Sequence, residues 1–146
     1  GFNNNLIVRG NAVYGNLGAS GALTTINNSS SAASGYPNTT VAQNAVSYGG
    51  EAGYNIGSFF HSKAPRIYPF IRYEYYNPME KTEANTGLLA DKRFQVSAVT
   101  AGLNYYALPN LVIKADYTHR SIGGGKYNDE NLVSVGIAYI GWFIKK

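Results

Sequence analysis

The sequence predicts an all-β protein: an antiparallel transmembrane β-barrel, of which this chain supplies about six C-terminal strands. Three observations lead there. Apolar and small or polar residues alternate with a period of two through six segments. Long and short connections between those segments take turns. The composition is rich in Gly and Tyr yet poor in charge, with 17 Gly, 13 Tyr and 14% charged residues. Soluble domains carry about 25% charged residues.

Composition also excludes several classes. With no Cys among 146 residues, neither a disulfide-stapled miniprotein nor a Cys-ligated zinc module is available. The net charge of +4 is spread along the chain, so no nucleic-acid partner is expected. No apolar run approaches the roughly 18 residues that a membrane helix requires. The start, Gly1-Phe2-Asn3-Asn4-Asn5, carries neither an initiator Met nor a signal peptide. A piece of a longer protein is therefore expected, with residues 1–146 as the C-terminal portion of a single barrel domain.

Taken in order, the strands are Leu6–Leu17, Ala45–Phe60, Arg66–Asn77, Arg93–Tyr106, Asn110–Arg120 and Asn131–Phe143, all rich in Val, Ile, Tyr, Phe and Thr. Short links are expected at His61-Ser62-Lys63-Ala64-Pro65 and Ala107-Leu108-Pro109. Long ones are expected at Gly18–Asn44, Pro78–Lys92 and Ser121–Glu130. Outer-membrane barrels keep this parity, with short periplasmic turns and longer extracellular loops. Residues 19–44 are low-complexity and Ser/Asn-rich, and read as a long, mobile extracellular loop. Its N-x-S/T triplets at Asn27, Asn28 and Asn38 are chance matches in such a run. In the fourth strand the apolar phase slips between Ala98 and Val99, which predicts a β-bulge. Pro69 predicts a local irregularity, because it cannot donate to a ladder.

Each strand has one greasy and one polar side. The apolar sides carry aromatics near their ends: Tyr14, Tyr48, Tyr75 and Tyr117 toward the loops, and Phe60, Tyr105, Tyr139 and Phe143 toward the turns. Such residues suit the two interfaces of a bilayer, where a ring meets lipid and a hydroxyl meets water. From Tyr48 to Phe60 a tilted strand would rise about 30 Å, the height of an apolar band with its girdles. The opposite sides carry Arg9, Glu51, Arg72, Glu74, Lys114, Asp116 and Arg120, which would line a water-filled lumen. Basic residues lead by four to three, a basis for weak anion preference. The bland alternative pairs Arg72 with Glu74, and Lys114 with Asp116, as neutral couples in the wall. Six strands cannot close alone, since barrels begin at about 8.

No catalytic or metal site is expected. His61 and His119 lack metal-ligand spacing, and Asp116 and His119 lie on opposite strand faces. Gly123-Gly124-Gly125-Lys126 lacks the following Ser or Thr and the helix of a phosphate-binding loop, and reads as a hairpin loop.

Residues 101–117, Ala101-Gly102-Leu103-Asn104-Tyr105-Tyr106-Ala107-Leu108-Pro109-Asn110-Leu111-Val112-Ile113-Lys114-Ala115-Asp116-Tyr117, resemble a penultimate hairpin common in Gram-negative outer-membrane porins. Phe70-Ile71-Arg72-Tyr73-Glu74 resembles an upstream strand of the same proteins. The ending, with Val135, Ile137, Tyr139 and Phe143 on alternate positions, resembles their assembly signal. The similarity is to porins akin to the phosphate-selective group, and it covers roughly residues 66–143. Two departures stand out: Ile144-Lys145-Lys146 follow the terminal aromatic, and Gly141 occupies an apolar position.

The resemblance implies an integral outer-membrane channel for passive diffusion of small hydrophilic solutes or ions, with no cofactor and no enzymatic activity. It also implies outer-membrane lipid and the barrel-assembly machinery as partners, and a homotrimer as a candidate state. Two other readings stand beside it: a membrane-anchored adhesin that binds through its loops, and a soluble β-barrel that binds small ligands.

Overall fold

The computed structural model describes residues 5–34, 40–60, 65–83 and 89–139, the side chains of 30–34 excepted. Six strands form one antiparallel sheet in which each strand pairs with its neighbours in sequence. They are β1 (Leu6–Asn16), β2 (Asn44–Tyr54), β3 (Arg66–Lys81), β4 (Val96–Leu108), β5 (Leu111–Ile122) and β6 (Asp129–Tyr139). Among the described residues, one edge of β1 and one edge of β6 carry no partner strand.

The expected alternation of connections does not hold strictly. Residues 109–110 make a tight turn, but the β2–β3 link occupies 55–65 and is longer than the β5–β6 link at 123–128. The strand expected to run to Phe60 stops at Tyr54 and gives way to a 3-10 helix, Ile56–Phe59. Phe60 therefore stands in a turn, and the continuous rise reckoned from Tyr48 to Phe60 is corrected to a shorter strand.

Asn55 organises that link. Its side-chain oxygen accepts from Gly57 N–H at 3.2 Å and from Ile67 N–H at 3.1 Å, while its own N–H donates to Asn5 O at 2.7 Å. A buried amide thus joins the start of β1 to the start of β3. Gly57 is obligatory because a Cβ there would collide with Pro65 O.

Pro69 leaves the β3–β4 register unbroken. Residues two apart in a strand point their N–H groups the same way, and Ile67 N–H faces Asn55. Position 69 therefore faces the place where β2 has already left the ladder after the Gly53–Phe70 pair, so the missing donor has no strand to bond.

The predicted bulge at Ala98/Val99 is absent: β4 keeps register with both neighbours from Val96 to Tyr106. The phase change is real in sequence but has another cause. Val96, 3% exposed, faces the polar side between Tyr76 and Ile122, while Ser97 faces the apolar side beside Ser121. Register shifts fall instead at Asn44/Val46 and Tyr106/Leu108.

The segment expected as a mobile loop contains an α-helix, α1 (Ser20–Ser34). Its first turn is held by the Glu83 carboxylate, which accepts from Gly21 N–H at 2.6 Å and from the Ser20 hydroxyl at 3.2 Å. A carboxylate there satisfies an orphan N–H and complements the helix dipole. The Thr24 hydroxyl donates to Ser20 O and accepts from Val41 N–H, and Ser20 and Thr24 are fully buried.

Candidate functional site

The register collects the charged residues on one face. Arg9, Glu51, Arg72, Thr100 and Thr118 share a row across β1 to β5. On the same face, the row toward the long connections reads Asn11, Gly49, Glu74, Ala98, Arg120 and Glu130. The row on the other side reads Gly53, Phe70, Gly102, Asp116 and Ser134, and Lys114 stands beyond it beside Asn104 and Gly136. All seven charged residues singled out from the sequence thus lie on one side of the sheet.

Both i, i+2 couples are present, but Arg72 has a closer partner across the strands. Arg72 is held across strands by Glu51, with Nε at 2.9 Å and Nη2 at 2.5 Å from one carboxylate oxygen. Two guanidinium nitrogens converging on one charged oxygen fix position as well as charge. Arg9 reaches the other oxygen of Glu51 at 3.5 Å and keeps 72% of its side chain exposed. Glu74 lies 4.0 Å from Arg72 Nη1, at the outer limit of an ion pair, and is 51% exposed. Lys114 and Asp116 are 3.8 Å apart.

Arg120 donates to Glu130 at 2.9 Å and to the Tyr76 hydroxyl at 3.2 Å. Sequence reasoning missed Glu130 because it began the last strand at Asn131. The even spacing from Glu130 to Leu132 and Ser134 was the signal that could have found it. Arg66 was missed as well: it lies on this face over the Tyr106 ring at 4.8 Å. With both included, the face carries Arg9, Arg66, Arg72, Lys114 and Arg120 against Glu51, Glu74, Asp116 and Glu130, which leaves little net charge.

Phe70 is an apolar residue on this face and explains two glycines. Its ring fills the space above Gly102, where a Cβ would meet Phe70 Cε1 at 2.6 Å and Ala115 O at 2.7 Å. Its own Cβ lies 3.3 Å from the place a Gly53 side chain would occupy. The ring is 7% exposed, with Lys114 Nζ 5.0 Å and Arg72 Cζ 6.0 Å from its centroid. A cation over an aromatic face is attracted by the ring quadrupole.

Beside this packed region the face opens into a cleft of about 240 Å³ lined by Arg9, Asn11, Gly49, Glu51, Arg72 and Glu74. Gly49 is its floor: a Cβ there would come within 3.0 Å of both Asn11 Oδ1 and Tyr73 O.

The opposite face is apolar and uncovered. Ile71, Tyr73, Val99, Leu103, Tyr117, Val133, Val135 and Ile137 are all exposed. Along β5 the polar-side residues are less accessible than the apolar ones between them, the reverse of a water-soluble sheet.

The upper limit of this apolar band does not follow the hydrogen-bonded rows. Tyr14 on β1 stands opposite Val46, and Tyr48 on β2 opposite Tyr75. By β5 and β6 the last apolar positions are Tyr117 and Val133, in the row of Ala52. Beyond them this face turns polar, with His119 beside Asn131 and Ser121 beside Asp129. Counted along β2, the limit descends from Val46 to Ala52, six residues, over the five steps from β1 to β6. That is about 20 Å along the strands against about 24 Å across them, a slant near 40°. The lower limit moves the same way, from Tyr54 on β2 to Tyr139, four residues past the level of Val135 on β6.

The loop-side tyrosines gather at this slanted edge. Tyr48 stacks on Tyr75 with ring centroids 4.9 Å apart, and Tyr14 and Tyr117 are exposed. Tyr105 and Tyr139 lie toward the tight turn, while His61 and Phe143, the last residue of the expected assembly signal, lie outside the described residues. His119 Nδ1 lies 3.0 Å from Asn131 Oδ1 and faces away from Asp116. Residues 123–127 form the β5–β6 hairpin loop, with Gly125 at φ 118°.

No protein family, curated protein or solved structure matches this chain.

Proposed function

We propose that this chain contributes six strands to a larger transmembrane β-barrel of the bacterial outer membrane, and that the barrel is a porin passing small hydrophilic solutes or ions by passive diffusion. The observation that carries the reading is the slanted apolar band. In a membrane barrel the strands tilt by about 35–45° to the axis, so the bilayer plane must cross hydrogen-bonded rows at that same angle. A limit inclined near 40°, with tyrosines along it and polar residues beyond it, is what that geometry requires. Along β3 the band runs from Ile67 to Tyr75, which amounts to about 20 Å of height, somewhat under the usual 25 Å or so.

The remaining features fit the same picture. In hydrocarbon every backbone group needs a partner, so the bare edges of β1 and β6 would be closed by further strands. The lumen would be lined by Arg9, Glu51, Arg72, Glu74, Lys114, Asp116 and Arg120, together with Arg66 and Glu130. Five basic groups against four acidic ones favour anions only slightly.

The test is reconstitution of the protein in a planar bilayer under a KCl gradient. Discrete conductance steps with a reversal potential within a few millivolts of zero, on the anion side, support the reading. An absence of steps favours an anchor with a blocked lumen, and monodispersity without detergent favours a soluble barrel.

A further inference from the structure

We propose that the cleft between β1 and β3 is a solute subsite for small zwitterions of the α-amino-acid type. Arg9 takes the carboxylate, and Glu74 with Asn11 Oδ1 takes the ammonium group. The inference rests on the channel reading above and adds a substrate class to it.

The cleft offers one available charge of each sign. Glu51 is engaged by Arg72 through two short contacts, so Arg9 is only its peripheral partner at 3.5 Å and keeps most of its side chain in solvent. Glu74 is likewise half exposed and 4.0 Å from its guanidinium. Elsewhere on this face Arg120 and Glu130 pair at 2.9 Å, and Lys114 and Asp116 stand 3.8 Å apart, outside the cleft. Of the four charges that line the cleft, Arg9 and Glu74 thus have the least to lose by turning to a ligand.

The glycine floor makes the space between them. Gly49, in the row between Asn11 and Glu74, adds no side chain to the cleft, while Gly10 and Gly50 border it with backbone alone. Glu74 leans over the gap, its Cγ 3.4 Å from the position of a Gly49 Cβ, and Asn11 Oδ1 reaches 3.0 Å from the same point. The Glu74 side chain from β3 and Asn11 Oδ1 from β1 therefore border one gap, with the Arg9 guanidinium among its lining groups.

The dimensions agree. Arg9 and Glu74 stand two strands and two residues apart, so their Cα atoms are about 12 Å apart. In an α-amino acid the nitrogen and the carboxyl carbon are separated by about 2.5 Å. A hydrogen bond of about 2.9 Å at each end extends that to about 8 Å, which inward-leaning side chains span. The volume, about 240 Å³, holds roughly eight waters, enough for a solute of this kind. A simple anion would meet Glu74, and a simple cation would meet Arg9, so each singly charged ion faces a like charge that the zwitterion satisfies.

The experiment is single-channel recording of the purified full-length protein in planar bilayers at fixed KCl, with added L-glutamine, acetamide, acetate or methylammonium. L-Glutamine should lower the conductance saturably, and acetamide should not. Arg9→Gln and Glu74→Gln should each raise the half-blocking concentration by about tenfold. Asn11→Ala provides a further handle that leaves both charges in place. Folding of each variant is checked by heat-modifiable gel mobility.

Equal effects of L-glutamine and acetamide, or L-glutamine block untouched by both charge variants, would overturn the subsite while leaving the channel standing. Block by acetate or methylammonium as strong as by L-glutamine would overturn the zwitterion assignment. A protein with no conductance at all would overturn the channel reading and the subsite together.

Discussion

If the apolar face meets hydrocarbon, the cost of a charge on it depends on depth along the slanted band, and Ile71→Arg measures that. Ile71 lies midway between Tyr75 and Ile67 on β3, is 57% exposed, and has Ala52 and Ala101 as row neighbours. An arginine there clashes with nothing, so sterics add little. In a bilayer midplane the change costs about 2–4 kcal/mol, which falls to about 0–1 near an interface. Val99 is the last apolar position of this face on β4, with Ser97 beyond it, so Val99→Arg supplies the shallow comparison.

The expected difference between the two variants is therefore about 2 kcal/mol, or roughly thirtyfold in the folding equilibrium. Reversible urea unfolding in lipid vesicles, followed by far-ultraviolet circular dichroism, reads it directly. On a sheet face exposed to water, both substitutions would stay within about 0.5 kcal/mol of the parent. Two small and equal losses would refute the placement in lipid.

Three further outcomes are expected. Gly102→Ala forces a methyl against Phe70 Cε1 and Ala115 O, and should cost about 1–3 kcal/mol in the same unfolding assay, with Phe70→Leu recovering only part because the carbonyl contact remains. Asn55→Ala orphans the N–H groups of Gly57 and Ile67 and should cost about 2 kcal/mol or more, accompanied by faster amide exchange at Ile67. The Arg93 guanidinium and N–H hold the Asp91 carboxyl below its ordinary value, so this pair stabilises the fold above the unfolded pKa of about 3.9 and is lost as pH falls through the lower folded value. An NMR titration should return Asp91 toward the ordinary value in Arg93→Gln.

The strands were legible because period-two alternation is local: Tyr48, Gly50, Ala52 and Tyr54 reveal a face without reference to any partner. What escaped the sequence depends on distant residues. α1 forms in a Ser/Asn-rich run of weak helix propensity, and its first turn is held by Glu83, some sixty residues away. The apparent bulge in β4 vanished because Val96 finds Tyr76 and Ile122 on the polar side, a satellite cluster that only pairing reveals. The same limit applied to the charges. Their common face could be read from parity, but that Glu51 rather than Glu74 holds Arg72 follows from the β2–β3 register.

The order of the strands has a consequence for biogenesis. Every ladder joins segments adjacent along the polypeptide, and β4 and β5 are separated by only two residues, Pro109 and Asn110. Closing so short a loop carries little entropic penalty, so that hairpin is the natural nucleus, and its neighbours can zip on one at a time. Each addition hides one raw margin and creates another. If the sheet belongs to the proposed barrel, a greasy ribbon with two adhesive borders is at risk of clumping until the last seam closes, which would make an escort to the bilayer a physical necessity.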